Sequence, residues 1–257
     1  MKTTLITGAS GGIGLEIARL FAKDGINLLL IARSEDKLLK IKQEIEQRHS
    51  VTVNCLPLDL SKPEAITTIA HYVEQNGLHI EYLVNNAGFG DFGRFTERDL
   101  PKYREMIALN IATLTELTHI FAQKMAKQGS GRILNVASIA ALQPVPLMAV
   151  YGATKAFVLS FSNAIRNELK KTGVTVTTLL PGPTATNFFN KAEANNVPMF
   201  QNTMSSEKVA LGGYKAMMKG KKRIIPGFLN KSLACAAKFL PDDFVLNITA
   251  RLMEKTN

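Results

Sequence analysis

Met1-Lys2-Thr3-Thr4-Leu5-Ile6-Thr7-Gly8-Ala9-Ser10-Gly11-Gly12-Ile13-Gly14 begins the chain and carries the reading of its fold. Thr3 to Thr7 is a short apolar and β-branched run, the pattern of a buried strand. Glycines follow at once, and from Ile13 to Lys23 apolar residues recur at helical spacing. A strand that turns through glycines into a helix can fold back tightly and offer bare amides to a phosphate at the helix N-terminus. The spacing is G-x-x-x-G-x-G, distinct from G-x-G-x-x-G and without the Lys-Ser/Thr that ends a P-loop. Gly8 to Gly12 also fits G-x-S-x-G, the turn that carries a hydrolase nucleophile. That chemistry needs a histidine farther along, and none follows His119.

Beyond the loop, short apolar runs (Asn27–Ile31, Val51–Leu56, Tyr82–Val84, Ile133–Val136, Val174–Leu180) alternate with helical patterns (Glu35–Arg48, Pro63–Gln75, Asp99–Lys127, Val150–Lys171). Gly25 and Gly173 stand where helices close, and Ser61 is the expected N-cap of the third helix, with Pro63 and Glu64 in its first turn. Strict β/α alternation calls for a parallel sheet with a helix in each crossover. The expected fold is therefore a Rossmann-type, doubly wound α/β sheet of about seven strands, with ligands bound beyond the carboxyl ends of its strands. Residues 1–257 read as one domain. Within it, 181–206 lacks periodicity and is apolar, as a substrate lid would be. From about 220 onward a C-terminal extension carries a short strand at Ile224-Ile225-Pro226 and helices at Phe228–Phe239 and Asp242–Met253.

Composition narrows the class. Of 257 residues, 46% are hydrophobic and 20% charged, an ordinary globular balance. Cys55 and Cys235 have no metal-type spacing, nor do the four histidines, so no metal is expected. No signal-peptide core or membrane-length run is read, and a cytoplasmic protein is expected. The net charge is +10, and residues 170–257 hold 13 basic against 5 acidic residues, notably in Lys219-Gly220-Lys221-Lys222-Arg223. No aromatic residues interleave with these charges, so no nucleic-acid partner is expected. Peripheral membrane contact through the basic tail stands only as a minor alternative.

The chemistry gathers at Tyr151-Gly152-Ala153-Thr154-Lys155, which sets a phenol and an ammonium one turn apart on one helical face. A free tyrosine, with a pKa of about 10, is a poor acid–base catalyst at neutral pH. A nearby cation is expected to lower it. The pair opens a helix shortly after Ser138, at the end of a strand.

Taken together, these residues resemble the short-chain dehydrogenase/reductase family. The resemblance spans nearly the whole chain. It is carried by Thr7 to Gly14, Asp59-Leu60, Asn85-Asn86-Ala87-Gly88, Asn110, Ser138, Tyr151 with Lys155, and Pro181-Gly182. It is nearest in kind to 3-oxoacyl-reductase-like members with an extended basic tail. The resemblance implies that Tyr151 exchanges a proton with the substrate oxygen while Lys155 lowers its pKa and holds the nicotinamide ribose. It implies that Ser138 steadies the carbonyl oxygen and that Asn110 orders a water leading from Lys155 to solvent. Gly8, Ser10, Gly12, Ile13 and Gly14 would line the pyrophosphate, and Asp59 and Leu60 would border the adenine. Asn86, Ala87 and Gly88 would back the adenosine ribose, with Pro181, Gly182 and Thr184 at the carboxamide.

At the end of the second strand an acidic residue would bond the ribose and repel a 2′-phosphate. Arg33 and Ser34 stand there instead, and NADP(H) is expected over NAD(H). A second basic residue before the middle glycine, frequent in NADP-using relatives, is replaced by Gly11. Phe89, Phe92, Phe95, Leu142–Met148, Phe188, Phe189 and Phe200 could enclose an apolar ketone, aldehyde or 3-oxoacyl compound. A homodimer or homotetramer through Asp99–Lys127 and Val150–Lys171 is usual in the family. The alternative, a non-catalytic NADP(H)-binding regulatory or scaffold protein, fits poorly with a chain that keeps Asn110, Ser138, Tyr151 and Lys155.

Overall fold

In a computed structural model a parallel sheet of seven strands runs through the molecule in the order Val53–Pro57, Asn27–Ala32, Lys2–Thr7, His79–Asn85, Gly131–Val136, Val174–Leu179 and Arg223–Ile224. The structure describes residues 1–188, 192–194, 197, 203–236 and 240–254. The strands of the sheet are β1 (Lys2–Thr7), β2 (Asn27–Ala32), β3 (Val53–Pro57), β4 (His79–Asn85), β5 (Gly131–Val136), β6 (Val174–Leu179) and β9 (Arg223–Ile224). The helices are α1 (Gly12–Lys23), α2 (Glu35–Arg48), α3 (Ala65–Gln75), α4 (Leu100–Ile107), α5 (Leu114–Gln128), α6 (Ala149–Glu168), α7 (Ser206–Met218), α8 (Phe228–Ala236) and α9 (Asp242–Met253). Thr184–Ala185 (β7) and Met204–Ser205 (β8) form a separate two-stranded ribbon.

Two apolar layers sandwich the sheet because successive strand residues face opposite sides. Ile6, Leu28 and Leu30 pack with Phe21 of α1 and with α2 and α7. Leu5, Leu29 and Leu83 pack on the other face with Ile69 of α3 and Phe121 of α5. Burial on both faces explains why the strands are nearly continuous apolar runs rather than alternating ones. The order of strands reverses between β1 and β4, so the loops leaving those two strands diverge and open a crevice there.

Three local expectations are corrected. The third helix starts at Ala65, two residues late, because Ser61 is not its cap. Its amide and hydroxyl instead donate to Asp59 Oδ1 at 3.0 and 2.8 Å, forming an Asx turn. The single helix expected over 99–127 is α4 and α5 joined by a π-helical segment at Ala108–Thr113, which contains Asn110. Of the three phenylalanines that follow Asn86-Ala87-Gly88, only Phe89 lines the cavity, where Phe188 joins it. Phe92 is buried in the core, and Phe95 is exposed and stacked on Tyr103. Phe189 and Phe200 lie outside the described residues.

Candidate active site

The glycine loop is built for close backbone approach. Gly8 has φ +66°, and a Cβ on Gly14 would lie 2.5 Å from both the Gly8 carbonyl oxygen and Asn86 Nδ2. Asn86 staples the two diverging loops together. Its Nδ2 donates to the carbonyls of Thr7 (3.0 Å) and Gly8 (3.1 Å), while the Thr7 hydroxyl accepts from the amides of Asn86 and Ala87. No side chain caps α1, and its first turn holds no carboxylate. Amides at this N-terminus thus keep their capacity for an anion. These features fit the pyrophosphate of a dinucleotide.

The loop opens into a cavity of about 770 Å³. Gly8, Ser10, Gly12 and Ile13 line one end; Asn86, Ala87 and Gly88 line its floor; Ser138, Tyr151 and Lys155 stand at the far wall, beside Pro181, Gly182 and Thr184. Gly14 lies beneath this surface, packed on Asn86. Arg33, Ser34, Asp59, Leu60 and Asn110 do not line the cavity. Arg33 is exposed and stands 3.8 Å from Glu105. Ser34 precedes α2 without a capping bond, leaving its hydroxyl to other partners. Leu60 is buried, and its carbonyl accepts from Thr113 at 2.6 Å. Lys37, which the sequence reading passed over, does reach the cavity. Its only signal was a place in the first turn of α2, the helix that follows Arg33 and Ser34.

Helix α6 owes its position to a buried polar relay. Asn85 Nδ2 donates to Asn135 Oδ1, Asn135 Nδ2 to the Ser162 hydroxyl, and that hydroxyl to the Val158 carbonyl. This fixes the inward face of α6 (Tyr151, Thr154, Lys155, Val158, Ser162) against β5. Asn110 completes the bracket. Its Nδ2 donates to Phe89 O and to the Thr154 hydroxyl, each at 3.0 Å, and its Oδ1 accepts from Phe89 N.

Electrostatics at the pair depart from the expectation. Burial pushes the Tyr151 phenol up to about 12, and a hydrogen bond with Ser138 pulls it only part of the way back. Burial likewise brings Lys155 down to about 8. The ammonium donates to the Val136 carbonyl at 3.0 Å and sits 5.8 Å from the Tyr151 ring centroid. Desolvation thus prevails, and the phenol is neutral at physiological pH. Ser138 Oγ also accepts from Ala140 N at 3.1 Å, which orients the hydroxyl.

On the substrate side a salt cluster ties distant segments together. The Asp91 carboxylate is fully buried, with Arg98 at 2.7 and 2.5 Å and Lys102 at 2.6 Å. Burial alone would raise its pKa, but hydrogen bonds from both cations hold it below the ordinary carboxylate value. The same two cations reach Glu193 at 3.2 Å each. Phe92 N donates to Ala192 O, and the Phe188 ring lies 5.2 Å from that of Tyr151. Phe188 is thus held beside the phenol, and Ala192 and Glu193 against Phe92 and the Asp91 cluster, which no local sequence signal announced.

Reversible proton exchange beside a dinucleotide cradle, at the carboxyl ends of a doubly wound sheet, is the chemistry of an NAD(P)-dependent oxidoreductase. The model of the short chain dehydrogenase family matches residues 2–197, and the chain belongs to that family. It is 37% identical over 186 residues to sulfoacetaldehyde reductase 2 of Chromohalobacter salexigens, covering 72% of this chain and 73% of that protein. It is 33% identical over 186 residues to very-long-chain 3-oxoacyl-CoA reductase of Bos taurus, covering 71% of this chain but 59% of the relative. Among solved structures, a short-chain dehydrogenase from Sphingobium yanoikuyae in complex with NADPH superposes with a TM-score of 0.83, 29% identity and coverage of 93% and 94% of the two chains. Among the described residues no helix is long and apolar enough to cross a membrane.

Proposed function

We propose that the protein is an NADP(H)-dependent carbonyl reductase or alcohol dehydrogenase for apolar substrates, with Tyr151 as the proton donor and acceptor. The observation that carries this reading is the convergence of Ser138, Tyr151 and Lys155 on one cavity wall, with the phenol buried and the ammonium one turn along the same helix. NADP(H) supplies or takes the hydride when bound. In the reducing direction the neutral Tyr151 hydroxyl gives its proton to the substrate oxygen. Ser138 holds that oxygen as negative charge develops on it, the stage at which a fixed donor is most effective. Lys155 keeps a positive charge beside the phenol, favouring phenolate once the proton has left, and its ammonium would hold the nicotinamide ribose. The Asn110 side-chain amide is already committed to Phe89 and Thr154, so a proton-resupply water would rest on its main-chain carbonyl.

Gly8, Ser10, Gly12, Ile13 and Gly14 would form the pyrophosphate cradle, and Asp59 and Leu60 the adenine border. Asn86, Ala87 and Gly88 would back the ribose, and Pro181, Gly182 and Thr184 would hold the carboxamide. Preference for NADP(H) is supported by Arg33, the Ser34 hydroxyl and Lys37, with no carboxylate at the end of β2 to repel a 2′-phosphate. The NADPH complex of the Sphingobium relative is consistent with it. The substrates named for the relatives range from a small sulfonated aldehyde to a very long acyl thioester, so the substrate class rests on the apolar lining of this cavity. Exposed Leu100, Ile107 and Phe157 on α4 and α6 support self-association through those helices.

The test is loss of NADPH absorbance with purified protein and a panel of ketones and aldehydes. Tyr151→Phe should lower kcat by roughly 10²- to 10⁴-fold while NADPH still binds. Undiminished turnover in that variant would remove Tyr151 from the mechanism.

A further inference from the structure

The C-terminal extension has two faces that behave differently. On α9 the inward stripe is Val245, Thr249 and Met253. Met253 is fully buried in the same cluster as Val145, Met148 and Tyr151, and Thr249 accepts a 3.0 Å hydrogen bond from Gln143 Nε2. On α8, Asn230 packs against Gly182, close enough to fill the space of a Cβ there. The extension is therefore docked as part of the cavity wall. Its adjoining stripe is another matter. Leu240, Phe244, Ile248 and Leu252 recur every fourth residue and stay between 42% and 52% exposed. Leu240, Ile248 and Leu252 also line the cavity, as does Leu229 on α8, which is largely exposed. Apolar side chains of this stripe thus line the same cavity as the catalytic tyrosine, and Phe244 carries the stripe on beyond the lining.

We infer that this stripe is a subsite for a long, flexible apolar tail, so that the substrate is a carbonyl compound whose chain extends out of the cavity along α9. The inference rests on the proposed reductase activity and adds the shape of its substrate. Phe244 to Leu252 spans two helical turns, about 12 Å of surface beyond what a compact ketone seated at Tyr151 would need. Continuity with the cavity is what selects a substrate tail as the occupant. An anionic bilayer fits less well, because the charged groups described beside the stripe are mixed: Lys231 and Arg251 against Asp243 and Glu254. The basic run Lys219–Arg223 lies along the outer edge of β6, with Gly220 against Thr175 and Arg223 beside Thr178, not around the mouth. Each methylene laid on the stripe and fully shielded from water would strengthen binding about fourfold, and less where it stays half exposed.

The experiment compares 2-butanone, 2-hexanone and 2-decanone with the wild-type protein and with Phe244→Ser/Ile248→Ser, using NADPH. In the wild type kcat/KM should climb with chain length. In the variant the ratio of the 2-decanone value to the 2-butanone value should fall roughly tenfold or more, two or more methylenes' worth of burial. An unchanged ratio, or a wild type that disfavours 2-decanone, overturns the subsite. Calorimetric binding of 2-decanone to the NADPH complex separates this question from turnover. If no ketone is reduced, tighter binding to the wild type than to the variant still supports the tail site, and equal binding or none overturns it. A variant that no longer binds NADPH is replaced by Phe244→Ser alone, read by the same ratio.

Discussion

The two ends of the cavity are held by different kinds of force. At the dinucleotide end, Thr7, Gly8, Asn86 and Ala87 are locked through main-chain groups, with no room for even a methyl on Gly14. At the Tyr151 end the walls come from segments far apart in sequence, held by one buried carboxylate with its two cations and by a few apolar anchors such as Met253. Backbone hydrogen bonds leave the glycine loop a single shape, suited to a ligand that never varies. Side-chain contacts can be re-cut one at a time, which suits the part of the site that must match a particular substrate.

The sharpest way to break this comparison is Asp91→Ala. It removes the buried carboxylate and leaves Arg98 and Lys102 with only the exposed Glu193, and breaking a buried pair in this way costs about 3–5 kcal/mol. Urea unfolding should register that loss, and a drop too small to measure would mean the clasp is decorative. Next in size is Gly14→Ala, where the added carbon must displace backbone; overpacking of this kind costs about 1–3 kcal/mol. Fluorescence titration should show NADPH affinity falling with it, whereas affinity for ketone in the surviving complex should change less.

Lys155 sharpens the comparison through pH. Its folded pKa of about 8 lies below the ordinary 10.5, so between those values the unfolded chain holds a proton that the folded chain has lost. Stability of the wild type relative to Lys155→Met should therefore rise with pH, by up to about 1.4 kcal/mol per unit in that window. A flat difference would mean the ammonium is not desolvated. Reduction should decline above about pH 8 as the same charge disappears. The smallest effect is expected from Arg33→Ala, an exposed group. NADPH should bind about tenfold more weakly, near 1.4 kcal/mol, with NADH little affected. Equal losses for both cofactors would deny Arg33 a role at the 2′-phosphate.

Much of the fold was legible because it is written in short periods. Apolar runs of strand length, amphipathic stretches of helix length and glycines between them need only neighbouring residues to be read. The placing of Tyr151 and Lys155 on one face follows from the helical repeat alone. Where local competition decided, the reading slipped: Ser61 found a better partner in Asp59 than in a helix end, and a π-helical turn at Asn110 interrupted a periodic pattern.

Spacing along the chain is enough to set the parallel α/β sheet, the glycine loop after β1 and the phenol–ammonium pair. Tertiary structure alone decided that Arg98 meets Glu193 across 95 residues. It also decided that Lys37 reaches the cavity, that Phe95 turns outward, and that Met253 docks beside Tyr151. It reversed the expected electrostatics too. Burial, a property of the whole packed chain, raised the phenol and lowered the ammonium.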